Sequence, residues 1–513
     1  MAFRAVHVTL KNQTMERQAL ILARSELEHG QWVIEPNDLV GDEDEWESES
    51  SDFSIGTGTE GRVTFNAGGV FVVRMHWNNP AIGRNTFDAS VDPPGRSDGS
   101  GFSVGFFGRD RFNKEDTARV TFVVVRGKAT IDEETGQVFS RPTPIWRHSV
   151  PGAGRPAVAP GTSLTSWYNT PENVQHIAYV DVDRQIRQCF FFIGGFGGWR
   201  NEVANTSPVH VASGTSPTSW YSSLERVQHI AYVGEDQLIH ECFFRVGSTL
   251  GWEHSVPSFG HQAVAPGTSP TSWYTTLENL QHIVYVGTDQ QLHECFYRIG
   301  GDNRWEHNFP SAGRALVAPG TSPTSWYTEA DKVHHIAYVG VDQQIHECFF
   351  RVGSTVGWEH NVPSAGRPLV APGTSPTSWV TTPENVQHIA YIGTDQRIHE
   401  CFFRIGGPFG WQHNVTNGGH TPAALDASPT SWYSTPENVQ HIAYVGVDRQ
   451  IHECFFRIGG TLGWQHNLPA AGQTLVAGGT SPTSWYTTPE HVLHVAYVGT
   501  DQAVHECFFF VAE

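Results

Sequence analysis

The tryptophan of a Ser-Trp pair recurs at Trp167, Trp220, Trp273, Trp326, Trp379, Trp432 and Trp485, each 53 residues after the one before. A period held that strictly means one supersecondary unit stacked many times, and it limits the fold before any strand is assigned. Each unit carries four short apolar segments. In the second unit these are Ser216-Pro217-Thr218-Ser219-Trp220-Tyr221, Gln228-His229-Ile230-Ala231-Tyr232-Val233, Ile239-His240-Glu241-Cys242-Phe243-Phe244 and Gly251-Trp252-Glu253-His254. Turn residues separate them, such as Gly287-Thr288-Asp289-Gln290 in the third unit. Four strands in a period of this length describe a propeller blade. A solenoid favours shorter repeats with atypical caps, and none is present.

The two ends of the repeat region fit each other. After Cys507-Phe508-Phe509-Phe510 the last unit lacks its Gly-Trp segment, while Trp146 stands 53 residues before Trp199, in register with Trp252. The sequence therefore predicts an all-β chain. Its larger part is a seven-bladed β-propeller over residues 145–513, closed by an N-terminal strand in the Trp146 region so that no sheet edge stays open.

Charge and cysteine narrow the function classes. With 32 Lys and Arg against 52 Asp and Glu, the net charge of −20 excludes a nucleic-acid partner held by basic residues. Met1-Ala2-Phe3-Arg4-Ala5-Val6-His7 is not a basic segment leading into an apolar one, so the expectation is synthesis in the cytosol without a signal peptide, with release to external cells left open. The cysteines are Cys189, Cys242, Cys295, Cys348, Cys401, Cys454 and Cys507, one per unit. Equivalent points on neighbouring blades lie roughly 10 Å or more apart, beyond the ~7 Å reach of a disulfide. Free thiols packed as small apolar residues follow, with no metal cluster and no cofactor.

Residues 1–131 hold no copy of the repeat. Strands are expected at 4–10, 69–77 and 119–125, punctuated by Gly, Pro and Asn, and a β-sandwich is their natural packing. The acidic run Asp42-Glu43-Asp44-Glu45-Trp46-Glu47 reads as a solvated loop, with a cation site as the alternative. Gly58-Thr59-Glu60-Gly61-Arg62-Val63-Thr64-Phe65 and Trp77-Asn78-Asn79-Pro80-Ala81-Ile82-Gly83-Arg84-Asn85-Thr86-Phe87 resemble the aegerolysin family, although Asn79 and Ala81 stand where members usually carry Cys and Trp. The resemblance implies a sandwich that recognises membrane lipids, sphingolipids among them, alongside a pore-forming partner protein, with Trp77 and Phe87 as lipid-contacting residues. As plain core aromatics the same two residues need no ligand. Residues 132–144, rich in Thr, Gly, Pro and charge, read as a linker.

Within the repeats a histidine opens the second strand and a glutamate follows twelve residues later: His229 and Glu241, His282 and Glu294, His335 and Glu347, His388 and Glu400, His441 and Glu453, His494 and Glu506. The first unit keeps His176 but has Gln188, preceded by Arg187 where the others have His. Polar residues in the middle of a packed strand must be paired or wetted. A hairpin loop of odd length would set His and Glu opposite each other on one face. Two readings stand: a hydrogen-bond network tying the blades, or a sugar site between blades, where a carboxylate accepts from vicinal hydroxyls and a tryptophan covers the apolar face. The tryptophans for that role are Trp199, Trp252, Trp305, Trp358, Trp411 and Trp464. His and Glu alone give too few ligands for a metal.

The unit, with Ser-Trp, Ile-x-Glu-Cys and Gly-Trp, resembles the repeat of fucose-binding propeller lectins. That likeness implies a multivalent carbohydrate-binding protein for cell-surface glycans, with the glutamates as sugar ligands. Here His occupies the place of the family's Arg, and the units number seven rather than six. An enzyme needs one asymmetric constellation, whereas repetition serves avidity. The chain therefore reads as a binder, with a defensive toxin acting on glycan-coated cells as the role suggested by the two halves together. The alternative is a structural propeller that scaffolds a protein partner.

Overall fold

The computed structural model describes residues 4–13, 19–41, 43–50, 58–67, 70–80, 85–92, 94, 102–107, 117–126, 129–131, 138–140, 146–193, 198–204, 209–302, 304–435, 437–460, 463–488 and 491–511. The chain divides into two compact units, Met1–Ile145 and Trp146–Glu513. Every regular element among the described residues is a strand.

The first unit is built on two five-stranded sheets. One runs in the order Gln31–Ile34, Glu43–Glu49, Ala5–Gln13, Thr117–Arg126 and Phe102–Phe107; the other is Leu39–Val40, Leu20–His29, Thr59–Ala67, Phe71–Asn79 and Thr86–Asp92. Alternation makes their shared core: Thr59–Ala67 and Phe71–Asn79 each bury every second side chain, so Val63, Phe65, Val73 and Met75 meet Val8, Leu10 and Phe122 from the other sheet. The acidic run is not a loop. Glu43–Glu49 pairs antiparallel with Ala5–Gln13 and turns Asp44, Trp46 and Ser48 inward, leaving its glutamates outside. The two-residue period of the strand places the glutamates on the wet face and Asp44 on the inner one. The stretch expected as a linker contains Val138–Ser140, a strand paired with Ala129–Ile131.

Trp77, expected to touch lipid, has no exposed surface. Its indole donates to Ser48 Oγ at 3.0 Å and packs beside Trp46 and Trp32. Gly61 lies opposite Trp77, and a Cβ there would sit 2.5 Å from the indole. The Gly-Thr-x-Gly motif is thus a packing requirement. Phe87 is partly buried against the same core, and residues 81–84 lie outside the described residues.

The second unit is a succession of seven four-stranded antiparallel sheets. The first consists of Thr165–Asn169, Val174–Val180, Ile186–Phe192 and Arg200–Val203, and the next five repeat it. The second strand of every sheet is buried at all seven positions, which is why it reads as one apolar run rather than an alternation. In the last sheet Thr483–Thr487, Val492–Val498 and Val504–Phe510 are joined by Arg147–Ser149, which pairs antiparallel with Phe508, Cys507 and Glu506.

Consecutive sheets share seven apolar layers. In six of them Trp, Ala and Ile or Val of one sheet pack on Ile or Val, Tyr and Cys of the next, and in the layer between the third and fourth sheets Val284 takes the place of the Ala; the layer of Trp485, Ala496 and Val498 with Ile177, Tyr179 and Cys189 joins the seventh sheet to the first. The Thr-Ser-Pro-Thr-Ser-Trp motif supplies the polar seam. Ser163 N–H donates to Ser216 Oγ at 2.8 Å, Ser216 to Ser269, and so onward by 53 residues until Ser481 N–H donates to Ser163 Oγ at 2.9 Å. A second series links Thr165 to Ser219 and ends with Thr483 on Ser166 at 2.8 Å. Small hydroxyls are needed because the first strands adjoin too closely for larger side chains.

Candidate functional site

Each histidine is held between rings. His229 lies parallel to Trp220 at 4.7 Å, with Phe243 on the same stack at 6.3 Å, and the geometry recurs in every sheet. His229 Nδ1 donates to Glu241 Oε1 at 2.7 Å, and Ser255 Oγ donates to Glu241 Oε2 at 2.6 Å. In the third to sixth sheets an asparagine replaces that serine: Asn308, Asn361, Asn414 and Asn467 donate to Glu294, Glu347, Glu400 and Glu453 at 2.9–3.1 Å. In the seventh sheet Ser149 of the added strand donates to Glu506, while His494 holds the other oxygen at 2.8 Å. His and Glu do share a face and do touch. They are a diagonal step apart and not directly opposite: Glu241 faces Ala231, and His229 faces Phe243.

Both partners are nearly sealed; Glu400 is 1 % and His388 4 % exposed. Burial alone would raise the Glu294 pKa, but the hydrogen bond and charge of His282, with Asn308 beside it, hold the carboxyl below its ordinary value. The carboxylate remains ionised because its donors outweigh its desolvation.

The fifth sheet shows what lies above this network. A cleft of about 210 Å³ opens between it and the sixth sheet. His388, Glu400 and Phe402 form its floor, Trp464, Phe456 and Gln440 of the next sheet its wall, and Glu384, Arg404, Phe409 and Gln412 its mouth. Arg404, Phe409 and Gln412 are exposed. The structure thus brings a His–Glu pair together with a tryptophan, and that tryptophan comes from the following sheet. By the same register Trp252 belongs with His176, Trp305 with His229, Trp358 with His282, Trp411 with His335 and Trp199 with His494, each indole packing in the layer between those sheets. Trp146 fills the place beside His441.

Sequence reasoning passed over three participants. Trp146 was read only as a closing strand, though its register gave its position. Arg404 recurs as Arg245, Arg298, Arg351 and Arg457; where Phe192 and Phe510 replace it, Arg200 and Arg147 from the outer strand lie over the ring at 5.0 and 4.8 Å. Seven units thus keep one guanidinium each, on one strand or its neighbour. The histidine before each glutamate was also passed over. His240 Nε2 lies 2.9 Å from Asp236 and its Nδ1 2.9 Å from His254, on the strand face opposite the glutamate. Burial and then the neighbouring His240 lower the His254 pKa. In the first sheet Arg187 pairs with Asp181 instead. No group of three or more possible metal ligands occurs among the described residues.

No protein-family model matches the chain, and no curated protein matches it. Among solved structures it is similar to the BP39L lectin from Burkholderia pseudomallei, at 13 % identity and a TM-score of 0.57, over 69 % of this chain and 97 % of that one. Weaker likenesses are to AofleA from Arthrobotrys oligospora (15 % identity, 63 % and 90 % of the two chains, TM-score 0.43) and to the Aleuria aurantia lectin, a six-bladed β-propeller (15 %, 60 % and 93 %, TM-score 0.40). The likeness to the BP39L lectin is one of fold: an all-β array of repeated four-stranded sheets.

Proposed function

We propose that the chain is a multivalent carbohydrate-binding protein whose sites are the clefts between consecutive sheets of a seven-bladed propeller, closed by the strand at Arg147–Ser149. The observation that carries this reading is the convergence of His388, Glu400, Trp464 and Arg404 on one cleft. A pyranose there sets its apolar face on Trp464 and its hydroxyls toward the carboxylate oxygens of Glu400, which keep lone pairs after accepting from His388 and Asn414. Arg404 donates from the mouth, and Glu384 accepts there. The His–Glu pair recurs in six sheets, and a tryptophan and a guanidinium accompany the histidine in all seven, which supports binding with avidity rather than catalysis. BP39L, the neighbour in fold, is named a lectin.

The first unit is proposed to be an aegerolysin-like β-sandwich that adds membrane-lipid recognition, giving a defensive, glycan-directed toxin. With Trp77 in the core, its lipid contacts fall to exposed aliphatic side chains such as Ile21 and Leu39, paired across the sheet. Two measurements test the two halves. The full chain on immobilised glycans should retain fucosylated structures, and Trp464→Ala or Arg404→Ala should each remove about one equivalent of bound fucoside. Absence of retention by any glycan, with the protein folded, overturns the carbohydrate reading. Flotation with sphingomyelin and phosphatidylcholine vesicles tests the lipid reading, which falls if neither vesicle carries the protein.

A further inference from the structure

The place between the first and second sheets that corresponds to the cleft between the fifth and sixth, here called the first cleft, departs from its six counterparts in a concerted way. At the position of Glu241 stands Gln188, and at the position of Ser255, directly across the ladder, stands Glu202. The carboxylate has crossed to the outer strand. It is exposed there, accepts the Trp252 indole N–H at 2.9 Å and receives Gln188 Nε2 at 3.5 Å. The exchange takes from His176 the partner that every other histidine of its kind has. Both ring nitrogens of His176 and the Gln188 Oε1 are without a hydrogen bond, although His176 is 2 % exposed and stacked on Trp167 at 4.6 Å. Buried polar atoms left in that state are costly; in the six sister units the glutamate takes the Nδ1, and in four of them a Ser or Thr hydroxyl of the first strand takes the Nε2 as well.

We infer that the first cleft is a sugar site of separate specificity, in which Glu202 and Gln188 Oε1 accept from a vicinal pair of hydroxyls and His176 hydrogen-bonds a further oxygen. This rests on the carbohydrate reading of the clefts. In the other six the carboxylate lies on the floor, already holding two donors. In the first it stands at the mouth beside Trp252, and the floor offers an uncommitted imidazole. A ligand is therefore met by acceptors from a different direction, which suits another arrangement of hydroxyls. The neighbouring cations do not cancel this carboxylate: Arg187 is paired with Asp181, Arg184 with Glu235, and Arg200 lies over Phe192.

The test is fluorine NMR of the full chain carrying 5-fluorotryptophan, with the reporters assigned by Trp252→Phe for the first cleft and Trp464→Phe for the fifth. The probes are the methyl glycosides of fucose, galactose, mannose and N-acetylglucosamine. At least one should move the Trp252 signal at a concentration about tenfold or more away from that moving Trp464. The pair Gln188→Glu and Glu202→Ser, which copies the second sheet and so keeps the fold, should bring the two titrations together. His176→Phe should abolish the response at Trp252 alone. Silence at Trp252 while Trp464 responds, or equal titrations before and after the exchange, overturns the inference and leaves the other clefts standing. Silence at every tryptophan overturns the carbohydrate reading and this one with it.

Discussion

Changing Glu294→Gln tests the reading of the floor network as a structural device. The carboxylate accepts from His282 at 2.8 Å, out of water, and from the half-buried Asn308 at 3.0 Å. Its lowered pKa says that the fold prefers the ionised group to a neutral one of the same shape, and glutamine stands in for the neutral one. Each bond to a charged acceptor contributes roughly 1.5–3 kcal/mol and each neutral bond roughly 0.5–1.5, so two bonds weakened together cost about 2 kcal/mol. For a unit of this size that lowers Tm by about 2–4 °C. The pH dependence follows from the sign of the shift. A carboxyl with a depressed folded pKa contributes stability above its unfolded value, lost as pH falls through the folded one. The variant should therefore lose less stability than wild type between about pH 5 and 3. Differential scanning calorimetry of both proteins across that range is the assay. Equal Tm values at neutral pH together with equal acid limbs would refute the argument that the glutamates act as struts.

Three other outcomes are expected. The cysteines are buried and unbridged, with burial raising Cys348 and Cys454 to about 12, so a reductant should leave Tm unchanged and a thiol reagent at pH 8 should react only on unfolding. Lys332 holds φ near 57° at a turn position where Asn173, Asn279, Asn385 and Asn438 also stand; Lys332→Asn should stabilise by about 0.5–1 kcal/mol, read by denaturant midpoint. Removing residues 147–149 leaves Val504–Phe510 as an open edge, and light scattering should show association that the intact protein lacks.

The repeat made most of the second unit legible, because a period fixes strand number, order and edge at once. Trp146 could be placed in the last sheet from its spacing to Trp199 alone. What the period could not tell is which neighbour a side chain faces. Trp464 and Glu400 share a cleft though they belong to different units, and no spacing within one unit reports that. The diagonal offset of His229 and Glu241 was hidden for a related reason: loop length fixes the face but not the step along it. In the first unit, composition misled. Glu43–Glu49 looked like a loop because its glutamates dominate, while Trp46 and Ser48 between them carried the strand signal. Trp77 was given to a ligand by family likeness, and Gly61 opposite it was the local sign of burial.

The serine seam has a consequence for how the second unit comes into being. A stack of repeats with two ends can form from any point and fray from either tip, one unit at a time. Here the donor–acceptor series returns from Ser481 to Ser163, and His148 meets His505 across 357 residues of chain. In the closed propeller proposed above no repeat is terminal, so none can peel away without parting from two neighbours. The contact that joins first to last has the longest loop to close, and it exists only once the seventh sheet has emerged. Until then the Ser163 hydroxyl at one end and the Ser428 N–H at the other lack the Ser481 that answers both. Closure is thus a single late event, and a nascent chain stopped one unit short keeps the seam between its neighbouring sheets but not the links through Ser481.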